Sequence, residues 1–290
     1  MAQYKIAVCG SRRQDPYLKE LDALFAYLER CGIRVLLHSA FARYLDEIRV
    51  DTYGGVPVDK LPDDVSLVMS IGGDGTFLRT FRWIGRKEVP ILGVNTGHLG
   101  YLASCHIGNV LEMLEKVFRG DISIEKRMAL AVSGDDLSAD LWPYALNEVA
   151  MLRDERASII TVHAAIDGGR LAEYRADGLI VATPTGSTAY NLSAGGPILQ
   201  PTLDCMVLSP IAPHTLTLRP LVVGADGALQ LVAESRSANF RLNLDDRTYT
   251  LPSGKKITVK KADFYALLIR EKGSDFASVL RDRLLWNAQG

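Results

Sequence analysis

The first part of the chain sets short apolar runs against stretches in which apolar residues recur every three or four positions. Tyr4–Cys9, closed by Gly10, has the length and character of a strand, as do Ile33–His38, Leu67–Ile71 and Pro90–Val94. Between the first two, Asp15-Pro16 opens a helix with proline in its first turn. Leu18, Leu21, Leu24, Phe25 and Leu28 share one helical face, and Gly32 stops it. Val110, Leu111, Leu114, Val117 and Phe118 repeat that pattern up to Gly120. Strands alternating with helices predict βαβ units and a mainly parallel sheet.

From about Asp121 the period shortens. Ser158–Ala165, Leu179–Thr183, Met206–Ser209, Ala228–Val232, Phe240–Leu244, Lys256–Val259 and Phe264–Ile269 read as short strands, separated by turns such as Asp167-Gly168-Gly169, Ala225-Asp226-Gly227 and Pro252-Ser253-Gly254. This predicts an antiparallel sandwich. From Ser274 a helical face returns, with Phe276, Val279, Leu280 and Leu284, and a lone helix needs a surface to bury against. The expected fold is α/β + all-β. A Rossmann-like parallel α/β domain covers 1–121, a β-sandwich covers 122–270, and a C-terminal helix over 271–290 returns to the first domain.

Composition narrows the partners. The 290 residues carry 33 Lys and Arg against 34 Asp and Glu, a formal net charge of −1, so no global field favours nucleic acid or an anionic membrane. Cys9, Cys31, Cys105 and Cys205 form no Cys-x-x-Cys pair and read as free thiols of a reducing cytoplasm. The start turns polar too soon for a secretory signal, and no apolar run reaches membrane-spanning length.

The chemistry concentrates in three places. Gly72-Gly73-Asp74-Gly75-Thr76 joins the third strand to a helix, where backbone N–H groups and a helix N-terminus favour phosphate. It is neither a Walker A loop nor a Gly-x-Gly-x-x-Gly turn. Asp74 would repel bare phosphate, so it suits a hydroxyl, a metal ion or both; taken alone, a capping aspartate explains it equally well. Asn147-Glu148 can hold a ribose diol, although an isolated pair is more often a solvated strand end. Asp177 through Pro197 packs hydroxyls, small residues and Tyr190 around Thr183-Pro184-Thr185-Gly186, too many for one tight turn. Arg79, one turn past the glycine loop, and Arg175 can neutralise phosphate or simply sit at the surface. No histidine pair has metal-ligand spacing, and His98 and His214 lie in loops open to a ligand.

These three blocks, in this order, resemble the NAD kinases, which phosphorylate NAD to NADP. Asn95-Thr96-Gly97-His98-Leu99-Gly100-Tyr101-Leu102 is similar to the family's Asn-x-Gly-x-Leu-Gly-Phe-Leu block, with Tyr101 for Phe. The resemblance implies ATP as donor with a divalent metal, Mg²⁺, NAD bound between the two domains, and a homo-oligomer, dimer or tetramer. It implies that Asp74 is the catalytic proton acceptor for the adenosine-ribose 2′-hydroxyl. It further implies that Gly72, Gly73, Gly75 and Thr76 hold phosphate. The NAD contacts would come from Asp74, Gly75, Arg79, Asn147, Glu148, Arg175 and Asp177, and from the segment Thr188, Ala189, Tyr190, Asn191, Leu192 and Ser193. No metal ligand is assigned. Ser158 stands where some bacterial members carry His and Arg247 where some carry Gln, so these two, with His214, are open as contacts. Two rivals remain at this level: a diacylglycerol- or sphingosine-type lipid kinase, which shares the glycine–Asp loop, and a dinucleotide sensor without transfer.

Overall fold

The computed structural model describes residues 4–97, 100–134, 137–154 and 159–284. The chain begins with β1 (Lys5–Gly10), α1 (Leu18–Arg30), β2 (Arg34–His38), α2 (Ser39–Glu47), β3 (Val56–Val58), β4 (Leu67–Ile71), α3 (Asp74–Ile84), β5 (Ile91–Asn95), β6 (Cys105–His106) and α4 (Val110–Arg119). Then follow β7 (Ile122–Ser133), β8 (Tyr144–Ala145), β9 (Glu148–Arg153), β10 (Ile160–Ile166), β11 (Gly169–Ala176), β12 (Gly178–Ala182) and the single turn α5 (Tyr190–Ser193). The last elements are β13 (Cys205–Ile211), β14 (Leu221–Gly224), β15 (Leu229–Ser235), β16 (Asn239–Leu244), β17 (Arg247–Pro252), β18 (Lys256–Glu271) and α6 (Phe276–Leu284).

Two compact units emerge: residues 1–126 with 266–290, and residues 127–265. In the first, β5, β4, β1, β2 and β3 lie side by side in parallel, and the end of β18 joins β5 through Leu268 and Ile91. All five residues of β4 are buried, as expected for a strand covered on both faces. Leu21, Leu24, Phe25 and Leu28 of α1 pack into this core with Ile6, Val8, Met69 and Leu114. The chain runs from β1 through β2 to β3 on one side, then to β4 and β5 on the other. The order therefore reverses between β1 and β4, and such a reversal leaves a crevice at the carboxyl ends of the strands.

The second unit is an antiparallel sandwich. One sheet runs β11-β10-β15-β18 and the other β14-β13-β12-β9-β16-β17. Val162 and Leu231 from one sheet and Leu179 and Leu242 from the other share a single core. The two runs expected at Lys256–Val259 and Phe264–Ile269 are one strand, β18. Its buried positions shift from odd to even numbers at Lys260-Lys261, giving Ile257 and Val259, then Ala262, Phe264 and Ala266. The polar pair marks a change of facing, not an end of pairing. This strand begins in the second unit and ends in the first.

Candidate active site

In the α/β unit the glycine loop occupies the crossover between β1 and β4. The Ser11 N–H donates to the Ile71 carbonyl at 3.0 Å, and Gly72 follows with φ 147°, where a Cβ would lie 2.5 Å from Thr76 Oγ1. Gly72 is thus demanded by the fold itself. Gly73 and Gly75 are exposed, and a Cβ on either would meet nothing within 4 Å. Their bare backbone fits the approach of something other than this unit's own atoms. Asp74 is the first residue of α3, half-buried, and its carboxylate turns back onto the segment after β5. The backbone N–H groups of Tyr101 and Leu102 donate to its Oδ2 and Oδ1 at 3.0 and 3.2 Å. Gly100 makes this approach possible, since a Cβ there would be 2.2 Å from Oδ1. A carboxylate has about four acceptor positions, so two remain after these bonds. Arg79 donates to the Thr76 hydroxyl at 3.1 Å, which keeps its guanidinium beside the loop.

In the sandwich, Asn147-Glu148 and the Thr183–Ser193 segment come together. The Thr183 N–H donates to the Asn147 carbonyl at 2.8 Å and its hydroxyl to the Leu146 carbonyl at 2.7 Å. A Cβ on Gly186 would stand 2.1 Å from the Asn147 carbonyl, so the turn fits only as glycine. The Tyr190 N–H donates to the Glu148 carboxyl, while Glu148 Oε2 is buried without a partner. Asp245, between β16 and β17, accepts from the N–H groups of Leu146 and Asn147 at 2.8 Å each and of Glu148 at 3.2 Å. Burial, and then the Asp245 charge, push the Glu148 carboxyl up to about 8. Burial raises Asp245 as well, but three N–H donors and the Arg247 charge favour its ionised form. In this buried pair the three N–H bonds and Arg247 offset part of the burial cost at Asp245, whereas Glu148 has one N–H donor to set against burial and the Asp245 charge.

Residues 24–122 match the model of the ATP-NAD kinase N-terminal domain, and residues 146–271 match that of the ATP-NAD kinase C-terminal domain. A Porphyromonas gingivalis protein named NAD kinase is 43% identical over 286 residues, covering 98% of each chain. A Bacteroides fragilis NAD kinase is 38% identical over 285 residues, again covering 98% of each.

The chain belongs to the NAD kinase family.

Solved structures agree on the architecture. Yeast NADH kinase complexed with NADH superposes with a TM-score of 0.85 at 22% identity, over 99% of this chain and 89% of that one. An NAD kinase from Archaeoglobus fulgidus in complex with ATP gives 0.72 at 27% identity, over 97% of each.

Within this NAD kinase fold the remaining expected positions divide. Asn191 is buried and fully committed: its amide donates to the Ser187 and Pro197 carbonyls and accepts from the Ser209 hydroxyl at 2.6 Å. It braces the segment. Thr188, Ala189 and Leu192 are half-buried, and Tyr190 and Ser193 are exposed. Asp177 lies at the other end of β12, next to Arg153 at 3.2 Å, whereas Ala182 at the near end pairs with Glu148. That separates Asp177 from Glu148 by about 15 Å of strand. Arg175 and His214 join Asp177 at that end, where the His214 N–H donates to the Arg175 carbonyl at 2.8 Å. Arg247 donates to the Trp142 and Tyr144 carbonyls, both at 2.6 Å, so its guanidinium straps that loop. Ser158 and His98 lie outside the described residues. Sequence reasoning passed over Asp245, reading Asp245-Asp246-Arg247 only for its arginine; the available signal was an Asp-Asp turn directly after the Phe240–Leu244 strand, and Asp245 there takes φ 53°.

Proposed function

We propose that the protein transfers the γ-phosphoryl group of ATP to the adenosine-ribose 2′-hydroxyl of NAD, with Asp74 accepting the hydroxyl proton. The 2′-oxygen forms its bond to Pγ as the bond from Pγ to the bridging β–γ oxygen breaks, leaving ADP and NADP. The observation that carries this reading is the Asp74 carboxylate: fixed by two N–H bonds at the strand-order reversal, with acceptor positions left over, beside glycines whose faces are bare. Gly72, Gly73, Gly75 and Thr76 would receive phosphate, with Arg79 adding positive charge. Asn147 and protonated Glu148 would hold the ribose and its neighbours, since a neutral carboxyl can donate as well as accept. Tyr190 offers its half-exposed ring as a stacking face.

Among the described residues no group of three or more His, Cys, Asp or Glu side chains could hold a metal ion. Mg²⁺ carried on nucleotide phosphates needs few protein carboxylates, and bound with ATP it would neutralise charge on the donor phosphates. Arg175, Asp177 and His214, remote along β12 from Glu148, fit NAD contacts made in a homo-oligomer. No helix among the described residues is long and apolar enough to cross a membrane. The four free cysteines fit a cytoplasmic enzyme.

The test is incubation with NAD and ATP–Mg²⁺, with NADP read by an NADP-specific dehydrogenase. Formation of NADP is expected. Its absence in folded protein would remove the reading, and phosphorylation of diacylglycerol or sphingosine instead would promote the lipid-kinase alternative.

A further inference from the structure

Arg270 stands near the end of β18 and is only 7% exposed. A buried guanidinium is costly unless each of its edges is matched. Here Nε donates to Glu125 Oε2 at 3.0 Å, Nη1 to the Ala103 carbonyl at 2.7 Å and Nη2 to the Tyr101 carbonyl at 2.9 Å. The Tyr101 carbonyl and the Leu102 N–H belong to one peptide group. Its oxygen is held by Arg270 and its N–H donates to Asp74 Oδ1. The fork therefore grips both sides of the residue that grips Asp74. The Ser104 hydroxyl adds a bond to the Ile269 carbonyl, fastening the same segment to the same strand.

We propose that Arg270 is a positioning residue for the phosphoryl transfer, acting on Asp74 through the Tyr101–Leu102 peptide. This rests on the reading of Asp74 as proton acceptor. Two effects run through that peptide. The planar fork fixes the peptide's tilt, and so the direction of the N–H that orients the carboxylate. The charge-assisted bond to its oxygen also polarises the N–H at its other end, as linked hydrogen bonds strengthen one another. Lysine keeps the charge but cannot reach two carbonyls and a carboxylate in one plane.

The experiment is a double-mutant cycle on the purified full chain, joining Arg270→Lys and Asp74→Asn, with kcat, KM for NAD, NAD binding by calorimetry and thermal unfolding read for each variant. Arg270→Lys is expected to lower kcat about 10- to 100-fold, the scale of a misplaced reacting group. KM and NAD affinity should stay within about threefold. In the Asp74→Asn background the same change should cost no further kcat, because its route is already cut. A kcat near that of the parent overturns the proposal, as does a loss of equal size in both backgrounds. Should Arg270→Lys not fold, Glu125→Gln decides: a kcat loss of about 3- to 10-fold at constant KM supports the relay, and an unchanged kcat overturns it. If Asp74→Asn alone retains full turnover, the proton-acceptor reading fails by itself, separately from Arg270.

Discussion

Asp74 and Glu148 are both carboxyl groups beside a tight turn, and their surroundings differ in every respect that matters to a proton. Asp74 is half-buried and receives two backbone N–H bonds. Glu148 is 8% exposed, receives one, and faces the charge of Asp245. The first supplies two donors and leaves acceptor positions open. The second resists charge and keeps a proton to donate. Two carboxyl groups of nearly equal intrinsic acidity are thus set apart by donor count, burial and the neighbouring Asp245 charge.

Four substitutions probe this contrast, in falling order of expected effect. Asp74→Asn keeps the shape but cannot take up a proton, so kcat should drop by about 10²–10⁴-fold with KM for NAD little changed; a coupled NADP assay reads it, and near-normal turnover would erase the distinction. Asp245→Ala strands three N–H groups on the Leu146–Glu148 turn and should cost about 3 kcal/mol in urea unfolding. It should also let Glu148 ionise at lower pH, visible as a shifted pH dependence of NAD binding.

Glu148→Gln sharpens the comparison through pH. The folded carboxyl titrates near 8, above the ordinary range, so between about pH 5 and 8 the native state holds more protons than the unfolded chain. Stability of the parent should therefore fall as pH rises through that window. The glutamine variant should lose most of that slope, a difference of about 3 to 4 kcal/mol across it. Equal slopes in the two proteins would mean that Glu148 is already ionised. The smallest stability effect is reserved for Gly75→Ala. In the first turn of α3, with open space around it, alanine should leave the apo fold unchanged or firmer by up to about 1 kcal/mol. KM for the nucleotides should nonetheless rise, and an unchanged KM would deny the loop its ligand.

How much of this was legible beforehand follows from the range of each interaction. β4 is written in Leu67–Ile71 and α4 in the spacing of Val110 to Phe118, because periodicity is local. Asp74, Asn147-Glu148 and the Thr183–Ser193 segment stand out because short motifs cluster their own glycines and hydroxyls. α2 went unread, its buried Phe41, Tyr44 and Leu45 framed by polar residues without glycine or proline punctuation. β7, β9 and β11 were missed as well: Glu125-Lys126-Arg127 breaks the apolar run of the first, and the Gly169–Ala176 strand is largely polar at its outer face. The groups that govern the site's carboxyls were hidden most deeply. Asp245 reaches Glu148 across 97 residues and Arg270 reaches Tyr101 across 169. No window along the chain contains both members of either pair.

Because the α/β unit is assembled from residues 1–126 and from Ala266 onward, the order of synthesis divides it in time. A ribosome releases the whole stretch of the sandwich before it delivers the strand end that carries Arg270. While the chain is being made, the segment facing Asp74 exists without the guanidinium that fastens it. The clasp behind Asp74 thus arrives only after the sandwich has been made, and a nascent chain stopped at Tyr265 would hold every motif visible in the sequence while lacking it.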